Sequence, residues 1–127
     1  VPVRNRQWWA DADLHETHMN LEMPKGLSPR VLARKLDAIL PPNRALALDG
    51  GHFFEALCRD IRVPDERAFH WTLGFGSIGL GLATALGAAI GRADRLTVAG
   101  VGDGGLLMSL GELETLARYQ LPVLVLI

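Results

Sequence analysis

The sequence predicts an α/β fold, a three-layer sandwich in which a mostly parallel sheet is flanked by helices. Two observations carry that expectation. Short aliphatic runs at 45–48, 96–101 and 123–127 alternate with segments of helical spacing, the pattern that builds βαβ units and parallel strands. The composition agrees: 49% of the 127 residues are apolar, and aliphatics far outnumber the four Phe, three Trp and one Tyr. That length suits one domain with a hydrophobic core and hardly two.

Residues 1–24 mix Trp8, Trp9, four acids and two His without a clear period, and are expected to form a linker or an arm from a preceding domain. The domain proper is expected over 25–127. His15 and His18 lie three apart with no third ligand in view, which makes a poor metal set. Ser28 is a plausible N-cap with Pro29 at the first helical position, where its missing N–H costs nothing. Val31, Leu32, Leu36, Ile39 and Leu40 then keep helical spacing until Pro41-Pro42 stops the helix.

The run 45–48 is a short buried strand, followed by Asp49-Gly50-Gly51-His52 and a helix to about Ile61. Residues 63–72 look irregular. A glycine-punctuated stretch, 73–81, leads into a helix of small residues ending near Gly91, and 96–101 is the next strand. Ser109-Leu110-Gly111-Glu112 matches the capping box of a helix running to about Gln120, and 123–127 is the third strand. A chain that lacks an initiating Met and stops on such a strand is expected to be a piece of a longer protein.

Thirteen basic residues against fourteen acidic ones leave a net charge of −1, so neither a nucleic-acid surface nor a membrane-binding tail is expected. The apolar stretch 78–90 is too short and too rich in small residues to span a bilayer. Cys58 is the only cysteine, which excludes an intrachain disulfide and suits a reducing cytoplasm.

Ligands of open α/β sheets bind at the carboxyl ends of strands, and two of the expected strands end in unusual loops there. The second, Gly102-Asp103-Gly104-Gly105, is the more informative. Glycines let a ligand approach backbone N–H groups, and successive N–H groups near a helix start form an anion-binding concavity. A carboxylate amid such donors repels phosphate unless a cation lies between them, and Mg²⁺ held by a carboxylate and phosphates is that arrangement. No basic residue lies between Arg67 and Arg92 or between Arg95 and Arg118, so a diphosphate here must be met by backbone and metal. Both lysines, Lys25 and Lys35, precede the sheet, which excludes a Walker A loop.

A competing reading comes from Gly74-Phe75-Gly76-Ser77-Ile78-Gly79, which fits the GxGxxG dinucleotide fingerprint, with Asp103 near the place of the ribose-binding acid. It leaves Asp49-Gly50-Gly51-His52 unexplained and needs no glycines around that acid. An ordinary turn at Gly102–Gly105 is a third reading.

Gly102-Asp103-Gly104-Gly105-Leu106-Leu107-Met108, with Glu112-Leu113 and Leu121-Pro122-Val123 after it, is similar to the thiamine-diphosphate signature of acetolactate-synthase-like enzymes. Gly76-Ser77-Ile78-Gly79 resembles that family's segment under the thiazolium ring, and Asp49-Gly50-Gly51-His52 its diphosphate loop. The resemblance covers residues 28–127 and implies the thiamine-diphosphate-binding fold, truncated here, with thiamine diphosphate and Mg²⁺ as cofactors. It implies that Asp103 coordinates Mg²⁺ and that Gly102, Gly104 and Gly105 form the loop whose N–H groups hold diphosphate oxygens. Gly51 and His52 would touch the diphosphate from the neighbouring loop. Ile78 would wedge between the two rings, with Gly76, Ser77 and Ile78 forming the segment that meets the aminopyrimidine.

By the same resemblance the substrate is a pyruvate-like 2-oxo acid, which is decarboxylated before transfer to an acceptor. A simple decarboxylase or lyase is the alternative, and an NAD- or FAD-binding domain or a cofactor-free scaffold a more distant one. Gly51 stands where the family usually has Gln or Asn. The family's second Mg²⁺ ligand would fall just past Ile127, and its activating glutamate in another domain, usually of a partner subunit. No catalytic residue is therefore expected within this chain, which should be inactive alone and should work as part of a homodimer or homotetramer with the missing domains.

Overall fold

The computed structural model describes residues 26–127. The expected arm at 1–24 and the His15/His18 pair lie outside the described residues. Helix α1 spans Pro29–Ile39, with Pro29 in its first turn. Ser28 holds the N-cap position in extended backbone, but its hydroxyl makes no capping bond. Strand β1, Arg44–Leu48, is buried along its whole length. Helix α2 follows at Phe54–Asp60, then strand β2 at Phe69–Trp71, helix α3 at Gly81–Gly91 and strand β3 at Leu96–Gly100. Helices α4, Asp103–Met108, and α5, Gly111–Arg118, precede strand β4, Val123–Leu126.

The sheet order is β2-β1-β3-β4 and every pairing is parallel. Leu46 lies opposite both Phe69 and Val98, and Val98 opposite Leu124. Parallel neighbours need crossovers, and helices supply them. Leu46, Leu48 and Val98 turn to one face, where they pack with Ala33 of α1 and Leu57 of α2. Ala47 and Ala99 turn to the other, against Ala85 of α3. Helices on both faces of a parallel sheet make the predicted three layers, and no described helix is long and apolar enough to cross a membrane.

Two expectations about elements need correction. Residues 63–72 are not wholly irregular, because Phe69–Trp71 pairs in register with Leu46–Leu48. This is an edge strand, half-buried and only three residues long, so it lacks the continuous apolar run that marks β1. Trp71 stacks on Phe54 of α2 with ring centroids 4.7 Å apart. The capping box at Ser109–Glu112 does not form. Ser109 is the C-cap of α4, and its hydroxyl donates back to the Gly105 carbonyl at 3.0 Å, leaving Leu110 as the N-cap of α5.

Buried charge fastens the amino-terminal end of the sheet. Arg44 is 2% exposed, and its guanidinium donates to the carbonyls of Arg62 and Leu40 at 2.9 and 3.0 Å and pairs with the Asp37 carboxylate. Asp60 of α2 accepts from Arg30 Nε at 2.8 Å and from Arg34 Nε at 3.2 Å, clamping α2 to α1. These acids keep their charge because each faces an arginine. The Arg30 hydrogen bond holds the Asp60 carboxyl below the usual carboxylate range, and the Arg62 bonds do the same for Asp37 against the opposing effect of burial.

Candidate cofactor site at the carboxyl ends of the strands

All four strands run the same way, so the loops after β1, β2 and β3 share one edge of the sheet. Between β1 and β3 the strand order reverses, since β1 leads to β2 on one side and β3 lies on the other. The loops leaving such a switch point frame the ligand crevice of open α/β sheets. They are Asp49-Gly50-Gly51-His52 and Gly102-Asp103-Gly104-Gly105. The GxGxxG pattern, by contrast, follows the edge strand β2, whereas a dinucleotide fingerprint leaves the strand at the switch point.

Asp49 joins these loops. It is fully buried, with its backbone N–H tied to Gly100 of β3 at 2.9 Å. Its carboxylate accepts from the Gly50 N–H at 2.8 Å and from the Gly79 N–H at 3.1 Å (Oδ1) and 2.8 Å (Oδ2). A Cβ on Gly105 would lie 2.4 Å from Oδ2, and one on Gly81 would lie 2.6 Å from the Asp49 Cβ. Glycine at 105 and 81 is therefore what lets the carboxylate fit. Gly79 needs to be glycine on a second ground, its φ of +85°.

Asp103 opens α4 with an exposed side chain, and among the described residues no group of three or more His, Cys, Asp or Glu could hold a metal. Gly102 sits at the N-cap and offers no side chain to the first-turn N–H groups. Nothing lies within 4 Å of a Cβ built on Gly104, so that part of the loop is open. Gly51 and His52 are exposed on the adjacent loop, and a side chain at 51 would run into the Phe53 ring at 2.5 Å.

In the third loop, Gly76 has a φ of +66° and Ile78 is 48% exposed. The Ser77 hydroxyl is spent within its own loop, against the Gly74 carbonyl at 2.8 Å and the Thr72 carbonyl at 3.1 Å. The structure thus brings all the sequence-predicted residues to one sheet edge. The residue that sequence reasoning missed is Asp49, whose signal was an acid directly after the apolar run 45–48.

Residues 49–127 match the family model of the C-terminal TPP-binding domain of thiamine pyrophosphate enzymes. The chain belongs to that family. It is 49% identical over 95 residues to a 2-hydroxyacyl-CoA lyase of Oryza sativa subsp. japonica, covering 72% of this chain and 16% of that protein. It is 32% identical over 97 residues to a sulfoacetaldehyde acetyltransferase of Alcaligenes xylosoxydans xylosoxydans, covering 76% of this chain and 16% of the relative. The fold matches that of a thiamine diphosphate-dependent 4-hydroxybenzoylformate decarboxylase of Rhodococcus jostii with a TM-score of 0.71, over 79% of this chain and 19% of the other, at 24% identity. The likeness to acetolactate-synthase-like members stands with the family. The chain spans 16–21% of the length of the curated relatives it matches.

Proposed function

We propose that this chain holds the diphosphate of thiamine diphosphate, with Mg²⁺, in an acetolactate-synthase-like enzyme that decarboxylates a pyruvate-like 2-oxo acid and passes the fragment to an acceptor. The observation that supports it best is the meeting of the Asp49–His52 and Gly102–Gly105 loops at the switch point, within residues that match a cofactor-binding family. The residues suit the group. Asp103 offers one exposed carboxylate beside open space at Gly104. One or two carboxylates is the usual protein share of a Mg²⁺ site whose other ligands are phosphate oxygens and water. Asp103 would hold the metal, with the Gly104 and Gly105 N–H groups on diphosphate oxygens and Gly51 and His52 on the far side. Ile78, stiff at χ1 and half-exposed, would support the cofactor rings, with Gly76 and Ser77 giving that segment its turn.

When bound, the cofactor supplies the electron sink for cleaving a bond next to a carbonyl, and the protein supplies binding and orientation. On this reading residues 25–127 act as the cofactor-binding unit. The proton-transfer glutamate and a second metal ligand come from other parts of a cytoplasmic homodimer or homotetramer. Calorimetric titration of the full-length polypeptide with thiamine diphosphate should show binding only when Mg²⁺ is present. Mg²⁺-independent binding or none would refute the reading. A second reading, a lyase, is favoured by the 49% identity to the rice enzyme. Faster turnover of a 2-hydroxyacyl thioester than of pyruvate would select it.

A further inference from the structure

Asp49 is the one buried carboxylate among the described residues whose partners are backbone amides alone. Asp60, the other, faces Arg30 and Arg34. Taking a carboxylate out of water costs several kcal/mol unless hydrogen bonds compensate it, and here backbone N–H groups alone do so. An apolar residue here would leave the Gly50 and Gly79 N–H groups without an acceptor, so the carboxylate is matched to this meeting of loops and not to a generic core position.

The position of Asp49 says what it joins. Its carboxylate sits where three loops meet: it accepts from Gly50 in its own loop, from Gly79 thirty residues away, and abuts Gly105 beyond the next strand. Each carboxylate oxygen takes a bond from the Gly79 amide, and that amide belongs to the Ile78–Gly79 peptide. A Cβ at Gly50 would lie 3.1 Å from Ile78 Cγ2, so Ile78 is also wedged against the loop that Asp49 begins.

We propose that Asp49 is a positioning residue, which locks the Ile78–Gly79 peptide against the Gly50 and Gly105 loops so that the cofactor surface is formed before cofactor arrives. The proposal rests on the cofactor reading above. It attributes part of the affinity to preorganisation, because a loop already held in its bound shape loses less entropy on binding. Asparagine keeps the volume of Asp49 but turns one of its two acceptors into a donor. An N–H would then face an N–H, and either Gly79 or the Gly105 loop must move.

The test uses the full-length polypeptide with Mg²⁺ at saturation. Kd for thiamine diphosphate is measured by calorimetry on the unsubstituted protein and on Asp49→Asn, well below the melting temperature of each. The expected result is a weakening of about 10–100-fold, the scale seen when an outer partner of a metal site is removed. A residue serving stability alone would lower the melting temperature and leave the Kd of the folded protein unchanged, and that result overturns the proposal. Failure of the unsubstituted protein to bind would instead overturn the cofactor reading itself, whatever the variant does. If Asp49→Asn does not fold, amide exchange in the unsubstituted, cofactor-free protein decides. Slow exchange at Gly50 and Gly79 supports the preformed lock, and exchange at the rate of an open loop overturns it.

Discussion

Asp103 and Asp49 lie on the same edge of the sheet in opposite surroundings, one exposed and one fully buried. Exposure makes Asp103 separable from folding. Asp103→Ala should therefore leave stability within about 0.5 kcal/mol while abolishing Mg²⁺-dependent cofactor binding. Calorimetry and thermal melts on the full-length protein check both halves, and unchanged Mg²⁺-dependent binding would remove Asp103 from the metal site. The glycines of α3 offer a matched pair. A methyl at Gly81 meets the Asp49 Cβ at 2.6 Å, so Gly81→Ala should destabilise by about 1–3 kcal/mol through overpacking. At Gly87 nothing lies within 4 Å, and Gly87→Ala should stabilise by about 0.5–1 kcal/mol through helix propensity. Denaturant melts of the two variants give the comparison, and equal effects would contradict the packing at Gly81. Asp103 was legible in the sequence because glycines flank it on both sides. Asp49 was not, since its burial is created by Gly79 and Gly81, which the chain reaches after one further strand, and by Gly105, which it reaches after two.

Strands were legible where their runs are aliphatic, as in the half-buried edge strand β4. Strands β1 and β3 sit inside the sheet and show as apolar runs, whereas β2 lies at its edge and hides behind His70 and a half-exposed Trp71. The apparent capping box failed for a different reason. Its spacing is correct, yet Ser109 already terminates α4 and gives its hydroxyl to that helix. The α1–α2 clamp carries a pH prediction. Asp60 has its carboxyl lowered chiefly by the Arg30 hydrogen bond, so its folded value lies below the unfolded one, near 3.8. Its contribution is then complete above the unfolded value and disappears as pH falls through the folded one. Acid titration of stability should steepen below about pH 4, and Asp60→Asn should flatten that limb. The same variant should lose about 1.5–3 kcal/mol at neutral pH, the range for hydrogen bonds to a charged group. A variant as acid-sensitive as the unsubstituted protein would show that the clamp does not set the acid limit.

At the scale of the whole molecule, ligand linkage gives the broadest check. Thiamine diphosphate with Mg²⁺ at about 100 times its Kd should stabilise the full-length protein by about 2.7 kcal/mol, a melting shift of several degrees. NAD and FAD should give none, and a shift with NAD alone would reverse the assignment. The layered fold and the sheet edge that bears the candidate loops were foreseeable from the alternation of strands and helices. The strand order was not, because pairing between β1 and β3 skips the intervening strand β2. The two faces of that sheet also differ in their freedom to change. Leu46, Leu48 and Val98 meet α1 and α2 through branched aliphatic side chains of some size, so swaps that conserve total volume can be absorbed by repacking among neighbours. Ala47 and Ala99 meet Ala85 of α3 with nothing to rotate, and any added carbon must shift the helix bodily. Gly81, the first residue of α3, would shift with it and press on Asp49. Sequence drift should therefore be permitted on one face and censored on the other. In a library randomising each face to small and large aliphatics, folded cofactor binders should survive commonly when Leu46, Leu48 and Val98 vary. They should be nearly absent when Ala47, Ala85 and Ala99 do.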